Sequence, residues 1–303
     1  MSSTPRVAAV IVSFNTREHL LRCVASLQAH VSLPLEVVVV DNGSEDGSAA
    51  ALRAAHPAIR VIENGANLGF AAACNRGLRD ARAPYCLLLN SDAEVCPGAV
   101  EALAEALDER ADVGIVGPRT VGPGGGPQVS FGPDLTPLAE WRQRRLVVDL
   151  REGKAAAVRE VEALSAREQE PVWVSGACLL ARKAALDAVG GLDEGFFLYE
   201  EDVDLCLRVR RAGWRILYTP RATVMHHLGK SMETAAALSR REYDRSHLRF
   251  YAKHRGPGAR ALLRVYLAGS AAAGWLAAMG PGPERRARRR ERRDALGIAV
   301  SGR

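Results

Sequence analysis

The sequence predicts an α/β fold: a mostly parallel sheet flanked by helices, followed by a C-terminal helical extension. Three observations predict it. Continuous apolar runs at residues 7–14 (VAAVIVSF) and 35–40 (LEVVVV) have the length and β-branched content of strands buried on both faces. Segments with helical spacing of apolar residues alternate with such runs, which implies right-handed βαβ units. Aromatic residues make up only 5% of the chain while Gly numbers 28, a composition suited to helices packed on a sheet rather than to an all-β sandwich.

Taken in order, residues 16–29 follow the first strand with Leu20, Leu21, Val24 and Leu27 at helical spacing. The second strand runs into Asp41-Asn42-Gly43-Ser44, a turn signature. A short helix at 48–55, a strand at 59–63, a helix at 71–81 and a strand at 85–89 continue the pattern. Pro97 then opens a helix to about residue 110, and 113–117 reads as another strand. Residues 122–127 (GPGGGP) break the alternation, and 134–169 is polar and helix-leaning, an insertion or lid. Beyond it come a strand at 172–180, a helix at 201–212 and short strands at 215–218 and 223–225. Two helices are expected over 233–279, broken at Gly256-Pro257-Gly258. The organisation is thus a globular unit over 1–231, C-terminal helices over 232–279 and an Arg-rich tail over 280–303, disordered or lying on a membrane surface.

Charge places further bounds. The chain of 303 residues carries a net +6, but seven Arg and two Glu between Glu284 and Arg293 account for +5 of it. The body is nearly neutral, whereas a nucleic-acid enzyme spreads positive charge over a working face. No nucleic-acid partner is expected. The six cysteines lie far apart without a Cys-x-x-Cys pair, which suits small buried hydrophobes in a reducing cytoplasm. Residues 1–6 are short and polar, too little for a signal peptide, and the longest uncharged apolar stretch, 265–279, is 15 residues. A membrane crossing needs about 20.

In open parallel sheets, ligands bind at the carboxyl ends of strands. Four polar clusters follow apolar runs there: Ser13-Phe14-Asn15, Asp41-Asn42-Gly43-Ser44, Asn90-Ser91-Asp92 and Met225-His226-His227. Asp41 can accept hydrogen bonds from a ribose or a base, or it is simply a turn former. Residues 67–77 (NLGFAAACNRG) open a small-residue helix whose N-terminus favours a diphosphate, or which merely packs closely on the sheet. A carboxylate and an amide at Asn90 and Asp92 would suit a hard divalent cation, Mg²⁺ or Mn²⁺, with open coordination positions; an Asx-turn is the plainer reading. The sharpest feature is 196–204 (FFLYEEDVD), with four carboxylates in five residues after an aromatic run. A helix N-terminus helps keep such a carboxylate ionised, as a general base for a hydroxyl requires, though capping alone would also explain it.

Read together, these segments resemble the inverting family 2 glycosyltransferases of GT-A fold, particularly bacterial rhamnosyltransferase-like members. The resemblance rests on 10–15 (VIVSFN), 41–48 (DNGSEDGS), 67–77, 89–95 (LNSDAEV), 175–182 (SGACLLAR), 191–212 and 226–231 (HHLGKS), in the family's order. It implies a nucleoside-diphosphate sugar donor lined by Ser13, Asn15, Asp41, Asn67, Gly69, Asn75, Asn90, Ser91 and Asp92. It implies Asp92 and His226 as ligands of Mg²⁺ or Mn²⁺, with His227 the rival histidine and Asn90 standing where the family carries its first Asp. Asp202 would be the catalytic base, Glu201 would assist it or position the acceptor, and Gly176 would lie beside the acceptor. The resemblance further implies transfer with inversion, of rhamnose for instance, to a polysaccharide or lipid-linked acceptor in cell-surface assembly. The Gln-x-x-Arg-Trp element of processive synthases is missing, so a single addition is expected.

The apolar helix at 262–279 and the polybasic 285–293 could together bind an anionic lipid surface, giving a cytoplasmic enzyme held peripherally on the inner face of the plasma membrane. A last core helix and a solvated tail is the alternative. The rival functions are a nucleotidyltransferase, which would want a Gly-rich basic phosphate loop after the first strand, and an inactive nucleotide-sugar-binding scaffold.

Overall fold

The computed structural model describes residues 4–228, 236–279 and 282–301, and the chain divides into two compact units. The first comprises Met1–Gly195 and Asp202–Ser231 and the second Phe196–Glu201 and Met232–Arg303. The Gly-Lys-Ser end of the 226–231 motif lies outside the described residues.

In the first unit, β1 (Val7–Ser13), α1 (Arg17–His30), β2 (Leu35–Asp41), α2 (Ser48–Ala55), β3 (Arg60–Glu63), α3 (Phe70–Leu78) and β4 (Tyr85–Asn90) alternate as the periodicity predicts. There follow β5 (Ala93–Val95), α4 (Ala99–Glu109), β6 (Val113–Val121), β7 (Phe131–Gly132), α5 (Pro137–Arg151), α6 (Ala155–Ser165), β8 (Trp173–Val174), β9 (Cys178–Arg182), α7 (Lys183–Val189), α8 (Glu201–Arg211) and β10 (Arg215–His226). Eight strands form one sheet in the order β3-β2-β1-β4-β9-β6-β10-β5, and β7 pairs β8 separately.

All seven residues of β1 are buried. Each Val or Ile so placed contributes roughly 1.5–3 kcal/mol relative to exposure, which makes β1 the natural centre of the sheet. The small residues of α3 allow close docking on it: a Cβ at Gly77 would lie 2.4 Å from a Val10 methyl. Parallel pairing sets Ser13 opposite Asp41 and Val12 opposite Asn90, so three strands end together along one edge.

The sheet is not wholly parallel. β9 runs antiparallel between β4 and β6, and β5 runs antiparallel to β10. The apolar run 172–180 is therefore two strands, broken at Ser175-Gly176-Ala177 where the chain leaves the small sheet for the large one. The two short strands expected at 215–218 and 223–225 are one strand, β10, with an irregularity between Thr219 and Thr223.

The second unit holds α9 (Ala236–His254), α10 (Pro257–Ala277) and α11 (Pro283–Ser301), packed on one another. Pro257 occupies the first turn of α10 after the Gly256 cap, as the Gly-Pro-Gly break predicts. Within the Arg-rich tail, Pro283–Ser301 forms α11, with Ile298 and Ala299 buried. One of its arginines, Arg292, is half-buried against a glycine of α10. Arg292 covers Gly274, where a Cβ would approach its Nε to 2.7 Å. Arg240 and Arg241 of α9 pair with Glu291 and Asp294 at 3.9 and 3.5 Å.

Candidate active site

The common edge of β2, β1 and β4 carries most of the residues singled out from sequence. Asp41, at the end of β2, is 4% exposed; its Oδ2 accepts from the Ser44 amide at 3.1 Å. Its Oδ1 is buried with no hydrogen-bond partner among the described residues. A buried carboxylate oxygen left so costs stability unless a ligand supplies a donor. Ser13 closes β1 fully buried, and its hydroxyl meets that of Thr16 at 3.0 Å, which in turn meets that of Ser91 at 2.8 Å. Asn15, with φ 53°, ties this edge to the next loop: Ser44 Oγ accepts from its amide, and its Oδ1 accepts from Glu45 N at 2.8 Å.

Asn42, in the turn signature at 41–44 but given no role there, organises the loop before α3. It is 2% exposed; its Nδ2 donates to Asn67 Oδ1 at 2.8 Å and its Oδ1 accepts from Asn64 and Leu68. Asn67 also receives the Gly69 amide at 3.0 Å, so Asn67 and Gly69 are held at the start of α3. An Asn directly after a buried strand, followed by Gly, is the signal that could have found it. Asn75, expected near the nucleoside, bonds within the protein. Its Nδ2 donates to Leu192 O at 2.9 Å and to Glu194, and its Oδ1 accepts from Leu192 N. Both ends of the amide clamp the 191–194 turn to α3, which leaves little of it for a nucleoside.

Past β4, Ser91 and Asp92 are 6% and 5% exposed. The antiparallel register sets His226 of β10 opposite Ala93, which brings its Nε2 to 3.2 Å from Asp92 Oδ1. His227 goes elsewhere, its Nε2 2.7 Å from Glu94 Oε1. Register thus sets His226 beside Asp92 and His227 beside Glu94. Among the described residues no three His, Cys, Asp or Glu side chains converge as a complete cation site. Asp92 and His226 offer two ligands, a set that fits a cation completed by a substrate's oxygens.

The break at Ser175-Gly176-Ala177 brings in the last element. Asn90 N donates to Ala177 O at 3.0 Å, and Gly176 N donates to Asp202 Oδ2 at 2.7 Å. Two hydrogen bonds therefore connect the Asn90–Asp92 turn to Asp202, on one rim of the first unit. The Val203 amide donates to Asp202 Oδ1 at 2.8 Å. Asp202 keeps some accessible surface, yet enclosure by protein pushes its carboxyl above the usual carboxylate range, and the Gly176 and Val203 amides oppose that rise.

The other carboxylates of the cluster have separate surroundings. Asp204 is fully buried and receives Arg208 Nε at 2.7 Å, while Arg208 also binds Val189 O and Gly191 O. That pair is structural. Glu200 bonds His247 within the second unit, where Glu201, 6% exposed, also belongs. The cysteines are spectators: burial pushes Cys178 and Cys206 up to about 12, so both stay neutral thiols.

Residues 8–159 match the family model described as Glycosyl transferase family 2, and residues 156–300 that described as Glycosyl transferase family group 2. An N-acetylglucosaminyl-diphospho-decaprenol L-rhamnosyltransferase of Mycobacterium tuberculosis (strain ATCC 25618 / H37Rv) is 33% identical over 285 residues, covering 89% of this chain and 91% of that protein. Rhamnosyltransferase WbbL of Escherichia coli (strain K12) is 34% identical over 83 residues, 27% of this chain and 31% of that one. Among solved structures, the mannosyltransferase PcManGT of Pyrobaculum calidifontis, in complex with GDP-Man and Mn²⁺, has a TM-score of 0.59 at 18% identity, covering 99% of this chain and 87% of its own. GalNAc-T7 with UDP, GalNAc and Mn²⁺ has 0.56 at 16% identity, covering 82% and 51%. At these identities the likeness is one of fold, and that fold is GT-A. The family and the relatives favour sugar transfer over a nucleotidyltransferase or an inactive scaffold.

Proposed function

The chain belongs to glycosyltransferase family 2, and we propose that it moves one sugar, rhamnose being the leading candidate, from a nucleoside diphosphate to a lipid-linked acceptor hydroxyl with inversion at the anomeric carbon. One observation carries this reading: Asp92 and Asp202 are joined through Asn90, Ala177 and Gly176 on the edge where the unpartnered Asp41 oxygen also lies. Asp41 receives the nucleoside's donors there. Asp92 and His226 are the residues to hold Mg²⁺ or Mn²⁺, as the cations bound in PcManGT and GalNAc-T7 suggest. Such a cation supplies charge neutralisation for the diphosphate leaving group. Asp202 takes the acceptor proton as the hydroxyl oxygen forms its bond to the anomeric carbon; the bond to the diphosphate oxygen breaks with its electron pair, and no covalent sugar–enzyme species is needed. A panel of nucleoside-diphosphate sugars, read by diphosphate release with a diphospho-lipid acceptor, tests the reading. Turnover of none would reject it.

Gly176 supports Asp202 at close range. A Cβ there would stand 3.2 Å from Asp202 Cβ and 3.4 Å from its Oδ2. Gly176→Ala is expected to displace the carboxylate slightly and lower kcat about tenfold, since small misplacements of reacting groups are costly, with donor KM retained. An unchanged kcat would separate Gly176 from the reaction.

The second unit supports work at a membrane surface. No described helix is long and apolar enough to cross a membrane. However, α10 exposes Leu262, Val265, Tyr266 and Leu276, Met279 just beyond it is exposed too, and α11 exposes Arg285, Arg286, Arg288 and Arg290. A lipid-linked acceptor made on the cytoplasmic side would be met by that combination. Each arginine near an anionic surface is worth about 1 kcal/mol, so changing these four to Ser should weaken vesicle binding at least about 100-fold. Sedimentation with phosphatidylglycerol vesicles measures it, and unchanged binding ends this part of the proposal. Substitution is preferable to removing α11, which would uncover the α10 surface that it packs on.

A further inference from the structure

Within the second unit, residues 196–201 adopt a backbone that their own preferences do not favour. Tyr199 and Glu200 have φ of 72° and 63°, two successive non-glycine residues in the left-handed region. Each such residue carries a conformational cost and persists only where its surroundings hold it.

The surroundings come from α9. His247 Nδ1 donates to Glu200 Oε1 at 2.5 Å, with the two side chains 1% and 6% exposed. The imidazole stacks on Tyr243 with ring centroids 5.7 Å apart and meets Tyr251 at 5.0 Å, which fixes its plane. Either side of that bond, Ser246 Oγ donates to Leu198 O at 2.7 Å and the hydroxyls of Tyr199 and Ser239 meet at 2.5 Å. The cations of Arg249 and Lys253 lie 5.2 and 5.7 Å from the Phe196 ring centre. Five residues of one helix therefore hold Phe196, Leu198, Tyr199 and Glu200, four residues of an irregular segment, and the buried carboxylate–imidazole bond sits at the strained position itself.

That segment leads through Glu201 directly into Asp202, in the first turn of α8. We propose that the Glu200–His247 pair is a positioning element for Asp202: by locking the left-handed Tyr199–Glu200 turn it sets where α8 begins and where the base carboxylate points. Neither residue acts on a reactant; both act through the backbone. Burying a carboxylate and an imidazole is costly unless each satisfies the other, and an apolar pair would fill the same space without fixing a direction. The inference rests on Asp202 being the base.

The test uses the full chain as Glu200→Gln, His247→Gln and the double variant, with Asp202→Asn alongside. If the pair positions the base, each single variant loses about 10- to 100-fold in kcat, the cost of a misplaced reacting group, while donor KM and nucleoside-diphosphate affinity stay at wild-type values. The double variant should be no worse than the poorer single, because the two residues act as a unit. Amide exchange at 199–203 should also quicken in Glu200→Gln. Should His247→Gln fail to fold, Glu200→Gln decides alone. A kcat within about twofold of wild type in Glu200→Gln, with Asp202→Asn inactive, overturns the positioning role while sparing the base, since a tenfold loss is the least such misplacement predicts. An active Asp202→Asn removes the premise and the inference together.

Discussion

Asp202→Asn is expected to eliminate sugar transfer while leaving the protein folded and able to bind nucleoside diphosphate. A positioned general base contributes about 10²–10⁴ in rate, and an amide cannot accept the acceptor's proton, so kcat should fall by at least that factor. The variant is close in shape, and its carbonyl oxygen can still accept from Gly176 N or Val203 N. Stability should move the other way. Enclosure raises the folded-state pKa of Asp202 above its unfolded value, so protonation favours the fold. The stability linked to that group is present at low pH and is lost as pH rises through the raised value. Above that raised value the ionised Asp202 is a burden on folding that Asn removes, and the melting temperature of the variant should there equal or exceed that of wild type. Activity has the opposite pH dependence. The base must be ionised, so kcat should decline on the acid side at a pH above the ordinary carboxylate range. A variant both inactive and strongly destabilised would show Asp202 to be structural instead.

Asp92→Asn should be nearly as damaging, through the donor rather than the acceptor. Asp92 is buried beside His226, and its turn is fixed by the backbone bond from His227 N to Asp92 O at 2.9 Å. If Asp92 and His226 hold the cation as proposed, loss of the one charged ligand removes most of the neutralisation of the departing diphosphate. Removing a single preorganised stabilising group commonly costs about 10²–10³ in kcat, and kcat/KM should drop by at least as much. The companion signature is binding: Mn²⁺ should strengthen nucleoside-diphosphate affinity in the wild type, measured by calorimetry, and do so far less in the variant. Equal enhancement in both would move the cation away from Asp92.

Much of this was legible before any coordinates, for identifiable reasons. Continuous β-branched runs such as 7–14 are buried on both faces wherever they occur, and strand ends in a parallel sheet fall on one side, so Ser13, Asp41 and Asn90 were expected together and their register places them so. What escaped depends on partners remote in sequence. An apolar run reads alike in either direction, so nothing at 178–182 marked β9 as antiparallel, or the break at Gly176 that meets Asp202. The carboxylates of 200–204 look equivalent as a string, but the first is bonded to a histidine 47 positions on, the third to a glycine 26 positions back, and the last to an arginine one turn along α8. The Asn75 clamp closes over 117 positions. Charge density marked 280–303 as a tail, disordered or on a membrane surface, whereas the helix at Pro283–Ser301 packs on the Gly- and Ala-rich α10, a property of the neighbour.

The most direct test of the account is crystallographic: the full chain with Mn²⁺ and a nucleoside diphosphate, examined for anomalous scattering. One manganese peak is expected in contact with Asp92 and His226 and the ligand's diphosphate, with the nucleoside against Asp41 and Asp202 open towards the sugar side of the same rim. A peak at Glu94 and His227, or a diphosphate bound away from the Asn90–Asp92 turn, would contradict it.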